Sequence, residues 1–191
     1  AFCDINGNMD LAEEFLKYIF RHVLNACPDD MDFFDNRISK GIIENLQHII
    51  TSEFKRITYT EAVEQLIKSG ATFEFPVEWG IDLQSEHEKF LTEQVYRLPV
   101  IITDYPKQIK AFYMKLNDDD RTVRAMDILV PRLGEIVGGS EREADFGKLK
   151  NRIVECGLNP DDYWWYMDLR KFGTVPHAGF GVGFERLMMY I

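Results

Sequence analysis

The chain has 191 residues, of which 46% are hydrophobic, 13% aromatic and 28% charged. Those proportions are typical of one globular domain, and they exclude extended disorder and collagen-like repeats. With 22 Lys and Arg against 32 Asp and Glu, the net charge is −10, which argues against non-specific attraction to DNA or RNA as the main role of this segment.

Residues 1–74 are predicted to be mainly helical. Apolar side chains recur at three- and four-residue steps, the spacing of amphipathic helices, over 9–27, 39–52 and 59–69. The proline and two aspartates at 28–30 interrupt the first pattern. Thr58 and Glu61 have the spacing of a capping box for the third helix, and Ser85 and Glu88 have it for a later helix that runs to about residue 97.

Short strands are predicted in the second part of the chain, at 100–102, 109–116, 123–130 and 133–139. Because tight turns and no helices join them, these strands are expected to pair antiparallel. Helices are predicted from about 143 to 156 and after Asn159-Pro160, and a glycine-rich stretch at 179–183 leads into a terminal helix. The predicted fold class is α+β, an antiparallel β-sheet flanked by helices, with the sheet within residues 75–191.

Two carboxylates are predicted to meet across a hairpin. Pro131-Arg132 is a natural turn, and a hairpin centred there places Asp127 opposite Glu135 with their Cβ atoms roughly 5 Å apart. Carboxylates so placed repel each other. A divalent cation offsets that repulsion, because Mg²⁺ takes one or two carboxylates together with water and phosphate oxygens. The spacing fits equally well two solvated acids on an exposed sheet face.

Two glycine-containing stretches offer further candidate residues. Paired glycines, Gly138 and Gly139, precede Ser140 and Arg142, and glycines within a strand commonly mark a bulge or the close approach of a ligand. An arginine there presents a rigid fork to a carboxylate or an amide oxygen. The alternative is a turn followed by a surface arginine.

The second stretch has glycines at alternate positions, 179, 181 and 183, followed by Arg186. Such spacing lets a strand backbone approach a flat or phosphorylated ligand, and Arg186 could clamp a phosphate. The pattern is neither GxGxxG in a βαβ unit nor a Walker loop. Glycines in tight packing explain it equally well when it is taken alone.

Other kinds of site find little support in the sequence. Cys3, Cys27 and Cys156 are odd in number, far apart and without a CxxC pair, so neither a disulfide framework nor a cysteine zinc site is expected. No apolar run approaches the ~18 residues that cross a bilayer, and we expect an intracellular protein without a membrane partner. An acid pair, an arginine and a glycine-rich backbone fit nucleotide activation by positioning and charge stabilisation.

These stretches together resemble a known family. Residues 181–186, Gly-Val-Gly-Phe-Glu-Arg, look like motif 3 of class II aminoacyl-tRNA synthetases. The acidic strand pair with the trailing Gly-Gly-Ser-Glu-Arg at 138–142 resembles the aspartyl/asparaginyl branch. Further blocks, at 79–83, 105–113 and 164–177, are similar to its asparaginyl members of the bacterial or organellar type.

The resemblance implies the later part of a catalytic domain that joins asparagine to the α-phosphate of ATP and passes it to tRNA(Asn). By motif position, Asp127 and Glu135 would hold Mg²⁺ and ATP, and Arg186 would pair with the γ-phosphate. Nucleotide and amino-acid contacts are expected from a larger set: Gly183, Phe184 and Glu185 beneath the nucleotide, and Arg142 with Ser140 and Gly139 at the amino-acid side chain. A homodimer in the cytoplasm, or in an organelle if the source is eukaryotic, is expected for the full-length protein.

Both ends of the chain are expected to be truncated, because it starts at Ala1 and stops in an apolar run at 187–191. The resemblance implies that motifs 1 and 2 lie upstream, so the chain alone is expected to be inactive. Two alternatives stay open: an aspartyl-tRNA synthetase or asparagine-synthesising paralogue of the same fold, and a non-catalytic synthetase-like binding module. Glu185 before Arg186 counts against the aspartyl alternative, and the retained charged residues count against the module.

Overall fold

The structure is a computed structural model that describes residues 1–191. Its centre is a five-stranded sheet whose strands neighbour one another in chain order: β1 (Lys55–Thr58), β2 (Val100–Pro106), β3 (Thr122–Val130), β4 (Gly134–Glu141) and β5 (Ala178–Val182). β1 runs parallel to β2, and the other neighbouring strands pair antiparallel. The α+β class and the mainly antiparallel sheet are therefore confirmed.

Eight α-helices surround the sheet: α1 (Ile5–Ala26), α2 (Pro28–Arg37), α3 (Ile42–Thr51), α4 (Tyr59–Lys68), α5 (Ser85–Phe90), α6 (Phe146–Glu155), α7 (Trp164–Lys171) and α8 (Phe184–Tyr190). A π-helical turn, Leu91–Val95, continues α5, and short 3-10 turns cover Lys107–Ile109 and Pro160–Tyr163. None of these helices is both long and apolar enough to cross a membrane.

Two apolar clusters hold the sheet between them. One joins α1, α2, α3 and α8 to the first face of β2, β3 and β4. The other joins α4 and the π-helical turn to the second face of β1, β2 and β3. No residue of the second cluster comes from β4 or β5, so the second face of these two strands is left without an apolar cover.

Helix ends show where local sequence signals decide the structure. Thr58 and Glu61 form the predicted capping box of α4. The interruption at 28–30 is in fact a helix start, because Pro28 occupies the first position of α2, where its fixed φ and missing N–H cost nothing. The two aspartates that follow lie in the first turn, where negative charge stabilises the helix dipole.

The capping box predicted from Ser85 and Glu88 is wrong. Gln84 is the N-cap residue of α5, and its backbone N–H donates to Nδ1 of His87 at 3.1 Å. The Glu88 side chain instead reaches the β-hairpin, where Oε2 accepts a hydrogen bond from the backbone N–H of Glu135 at 3.0 Å. A tertiary contact has replaced the local one.

One strand was missed by the sequence analysis, and one strand prediction is wrong. β1 was not predicted, and its parallel pairing with β2 follows because α4 lies in the connection between them. The segment 109–116 forms no strand and makes two isolated bridges with its neighbours, Met114 with Arg142 and Leu116 with Val123. β2 and β4 already pair with β3 along its length from Ala125 onward, so no continuous ladder is open to this segment.

Candidate functional site

The second face of β4 and β5, which has no apolar cover, carries most of the predicted residues, and Ser140 on it is buried beneath Arg142. On this surface, which we call the open face, lie Glu135, Gly138, Ser140, Gly179 and Gly181. Gly138 pairs with Gly181 and Ser140 pairs with Gly179, and a Cβ built on Gly181 would meet nothing within 4 Å. Glycines without side chains leave the backbone of the two strands bare, so a flat ligand can lie directly against it.

A β-bulge sets which side chains of β4 reach the open face. Glu135 pairs with Leu129 and Val137 pairs with Ile128, so Ile136 has no partner on β3. Ile136 and Val137 both enter the apolar cluster beneath α1, which resets the alternation of the strand. Glu135 and Gly138 consequently face the same side although three positions separate them.

The predicted register of the acid pair is wrong, but the two side chains do converge. Asp127 lies opposite Gly138 rather than opposite Glu135. A Cβ built on Gly138 would lie 2.9 Å from Oε1 of Glu135 and 3.5 Å from Oδ1 of Asp127. The two carboxylates therefore meet over Gly138, as diagonal neighbours across the bulge.

Burial and mutual repulsion shift pKa values in the acidic corner, the region where the side chains of Glu88, Asp127 and Glu135 lie close together. Burial raises the pKa of Glu135, and the charge of Asp127 raises it further. Burial raises the pKa of Glu88 to about 7, and the charges of Glu135 and Asp127 act in the same direction. Three carboxyl groups thus share a region in which their full ionisation is unfavourable.

Arg186 and Arg142 lie at different parts of the open face. Nη1 of Arg186, on α8, donates to the backbone oxygen of Glu135 at 2.7 Å and lies 3.5 Å from its Oε2. Its side chain is 53% exposed, so it remains free to meet a further anion. It can supply a positive charge beside the acid pair.

Arg142 is held by its surroundings. Nη1 donates to Oγ of Ser140 at 2.8 Å and Nη2 donates to the backbone oxygen of Gly179 at 3.3 Å. The Cζ atom of the guanidinium lies 4.8 Å from the ring centroid of Tyr113, a distance at which cation–π attraction is favourable. A fixed planar fork of this kind can bind a carboxylate or an amide oxygen.

Not every predicted residue reaches the open face. A Cβ built on Gly139 would point the other way, 2.8 Å from the backbone oxygen of Gly179, 2.8 Å from Cβ of Phe180 and 3.1 Å from Nδ2 of Asn8 on α1. Gly139 is thus a close-packing glycine, and it offers no surface on the open face. Gly183 is the N-cap residue of α8, and Phe184 and Glu185 are exposed on its first turn, so their nucleotide contacts stay predictions.

Two site residues escaped the sequence predictions. Nζ of Lys110 lies 2.6 Å from Oδ2 of Asp127, and Glu88 holds the backbone of Glu135. Lys110 follows a 3-10 turn in a segment predicted as a strand. The segment resembles the family, but no site role was predicted for Lys110. Glu88 carried a local capping signal that its tertiary contact overrode.

The acidic corner fits a divalent cation by the chemistry of its donors. Asp127 and Glu135 supply hard oxygen atoms that converge over a bare backbone, and Mg²⁺ binds through one or two such carboxylates while substrate phosphates and water complete its shell. No group of three or more His, Cys, Asp or Glu side chains in the molecule is arranged to hold a metal ion. The two acids therefore need oxygens from a ligand to complete such a site.

The sequence of this chain is similar throughout to proteins of one family. A sequence model for class II tRNA synthetases (D, K and N) matches residues 1–191. The asparagine–tRNA ligase of Picosynechococcus sp. is 61% identical over all of this chain and 42% of its own length. The corresponding ligase of Nostoc sp. is 58% identical, over 41% of its own length. The chain thus spans about two fifths of the relatives it matches.

Solved structures agree with these sequence relatives. Asparaginyl-tRNA synthetase from Pyrococcus horikoshii, complexed with asparaginyl-adenylate, superposes on the whole chain with a TM-score of 0.87, at 41% identity and over 42% of its own length. Aspartyl-tRNA synthetase from Entamoeba histolytica superposes with a TM-score of 0.81 at 26% identity, over all of this chain and 38% of its own. Sequence and structure lead to one assignment. The chain belongs to the class II tRNA synthetases of the aspartate, lysine and asparagine group (D, K and N).

Proposed function

We propose that the protein containing this chain activates asparagine with ATP and transfers it to tRNA(Asn). The observation that carries the proposal is the arrangement of the open face. Glycines leave its backbone bare, and the carboxylates of Asp127 and Glu135 converge on it near Arg186 and the fixed Arg142. The 58% and 61% identities to asparagine–tRNA ligases, over all 191 residues, support the choice of amino acid. The activity of the whole protein is proposed from those relatives, and the residue roles are proposed from the motifs in which the residues occur.

In the first step of the proposed reaction, a carboxylate oxygen of asparagine forms a bond to the α-phosphorus of ATP. The bond from that phosphorus to the bridging oxygen breaks, and pyrophosphate leaves. In the second step, a hydroxyl of the 3′-terminal ribose of tRNA loses its proton and bonds to the carbonyl carbon, the bond from that carbon to the phosphate oxygen breaks, and AMP leaves. Neither step needs a covalent intermediate with a side chain of the protein, so catalysis rests on positioning and charge stabilisation.

The residues of the open face have distinct proposed roles in that reaction. Asp127 and Glu135 would hold Mg²⁺, whose chemistry there is to neutralise the charge of the phosphates. Arg186 would pair with the γ-phosphate, since its guanidinium is exposed beside the acid pair. The bare backbone at Gly181 would let the nucleotide lie flat against the sheet, beside the two carboxylates that meet over Gly138.

Arg142 is proposed to bind the side-chain oxygen of the amino acid. Ser140 and Gly179 fix the direction of its guanidinium, and guanidinium N–H groups can donate to the single oxygen of an amide as well as to the two oxygens of a carboxylate. Arg142 therefore suits aspartate as well as asparagine. The higher identity to the asparaginyl enzyme from Pyrococcus horikoshii, 41% against 26% for the aspartyl enzyme from Entamoeba histolytica, favours asparagine.

Asparagine-dependent pyrophosphate exchange in the full-length protein tests the proposal. Exchange with asparagine and not aspartate is expected, whereas the reverse preference would support the aspartyl alternative and no exchange with either would support a binding module. Glu135→Gln should abolish exchange, because it removes one of the two proposed metal carboxylates. Glu64→Gln, an exposed glutamate on α4, is the matched control and should keep wild-type exchange. Wild-type exchange by Glu135→Gln would refute the metal role.

Two further properties of the full-length protein are proposals. Homodimerisation is expected from the family, and sedimentation of the full-length protein tests it. A cytoplasmic location, or an organellar one in a eukaryote, is expected from the family's role in translation and is tested by fractionation of the source cells.

A further inference from the structure

Lys110 is the cation that lies against the acid pair from within the protein. Its Nζ is 2.6 Å from Oδ2 of Asp127, and both side chains are largely buried, at 15% and 13% exposure. The same ammonium lies 3.9 Å from the ring centroid of Tyr105, which is itself buried. Lys110 thus has two partners, a carboxylate and an aromatic ring, of which the carboxylate is also a candidate metal ligand.

The two acids of the pair have different cationic partners. Arg186 contacts Glu135 mainly through the backbone oxygen, at 2.7 Å, and lies 3.5 Å from the carboxylate. Lys110 bonds the Asp127 carboxylate directly. The carboxylate of Glu135 is therefore more available to a metal ion than that of Asp127, whose negative charge is already balanced by Lys110.

Lys110 bonds Oδ2 of Asp127, whereas Oδ1 is the oxygen that converges with Glu135 over Gly138. An ammonium and a divalent cation on the two oxygens of one carboxylate lie only a few ångströms apart and repel each other strongly. Lysine is well suited to give way, because its charge sits on a flexible four-carbon stem. An ammonium that leaves Asp127 can keep its contact with the Tyr105 ring, where cation–π attraction stabilises it. The negatively charged phosphates of a nucleotide would offer it a second favourable partner.

We propose that Lys110 is an internal counter-ion of Asp127 that competes with a divalent cation for this carboxylate. The proposal rests on the proposed function, which supplies the nucleotide. In the free protein Lys110 keeps Asp127 neutralised and makes binding of the metal alone weak. A nucleotide that arrives with its cation brings phosphate charge for Lys110, so metal and nucleotide bind cooperatively at the open face.

Binding of Mn²⁺ alone to the full-length protein tests the competition. Free Mn²⁺ is followed by electron paramagnetic resonance at pH 8, without nucleotide. Lys110→Met removes the competing charge, so it should bind Mn²⁺ at least about tenfold more tightly than wild type. Lys110→Arg keeps the charge and is the matched control, and it should bind Mn²⁺ as wild type does. Asp127→Asn placed on Lys110→Met should remove the gain.

The result that would overturn the proposal is Mn²⁺ binding by Lys110→Met that is no tighter than wild type, in protein that keeps the wild-type circular dichroism spectrum. Lys110→Gln repeats the measurement if the methionine variant does not fold. A rise in the half-saturating ATP concentration without any change in Mn²⁺ binding would also overturn it, since Lys110 would then be a phosphate ligand only. Pyrophosphate exchange by the wild-type protein is measured in parallel. Loss of the Lys110 proposal, judged by Mn²⁺ binding, is then distinguishable from loss of the proposed asparagine activation, judged by exchange.

Discussion

Two glycines on neighbouring strands should respond to the same substitution in opposite ways. A methyl group on Gly139 would lie 2.8 Å from the backbone oxygen of Gly179 and from Cβ of Phe180, and backbone atoms in a paired strand cannot move aside. A methyl group on Gly181 would meet nothing within 4 Å. Gly139→Ala therefore tests packing, and Gly181→Ala tests the open face.

The expected magnitudes follow from these contacts. Overpacking a filled site costs about 1–3 kcal/mol, and replacing a strand glycine by alanine returns about 0.5–1 kcal/mol of backbone entropy. Gly139→Ala should thus lower the free energy of unfolding by about 1–2 kcal/mol, whereas Gly181→Ala should leave it unchanged or raise it by up to ~1 kcal/mol. Gly181→Ala should instead raise the KM for ATP, because its methyl group stands where the nucleotide is proposed to lie.

Urea unfolding of the intact protein, followed by circular dichroism, measures the stability of both variants, and pyrophosphate exchange measures the KM for ATP. Equal loss of stability in the two variants would refute the packing argument. An unchanged KM for ATP in Gly181→Ala would refute the position assigned to the nucleotide.

Further predictions concern single contacts. Burial raises the pKa of Glu88 from 4.5 to about 7, so the stability that the protonated side chain contributes is complete below pH 4.5 and is lost as the pH rises through about 7. Glu88→Gln should therefore make the free energy of unfolding depend less on pH between about pH 5 and pH 8. A wild-type pH profile of thermal unfolding in this variant would contradict the prediction. Arg186→Ala should raise the half-saturating ATP concentration at least about tenfold, with unchanged saturation counting against the γ-phosphate role. Ser140→Ala frees one side of Arg142 and should raise the KM for asparagine roughly fivefold, about 1 kcal/mol, without changing that for ATP; equal changes in both would indicate a general disturbance. Thr58→Ala removes the α4 cap and should cost about 1 kcal/mol of stability with no change in either KM, and unchanged urea unfolding would contradict it.

Where the chemistry is local, the sequence was sufficient to predict the structure. The period of the apolar side chains located α1, α3 and α4, and the capping pair Thr58 and Glu61 was correctly identified. The turn between β3 and β4 was also confirmed, with Arg132 in the left-handed region at φ 72°. Each of these features depends on residues a few positions apart.

Features that depend on distant partners were missed. At the bulge, the successive side chains of Ile136 and Val137 both pack in the apolar cluster beneath α1. The sequence of β4 alone does not show that both face the same side. Lys110 becomes part of the site only because the fold brings its segment against Asp127. Glu88 was predicted to pair locally with Ser85, but its side chain accepts a hydrogen bond from the backbone of Glu135 on β4. The acid pair was predicted from an incorrect register, and the bulge made the two side chains converge.

The bulge also determines where the chain length between the two acids can vary. An added residue within the loop 131–133 changes only the connection, because the ladder restarts at Gly134 beyond it. Removal of Ile136 or Val137 would restore strict alternation and keep the carboxylate on the open face, but it would take one apolar side chain out of the cluster beneath α1. Insertions and deletions should therefore accumulate in the loop among homologous chains, while the interval from Glu135 to Gly138 keeps a constant length.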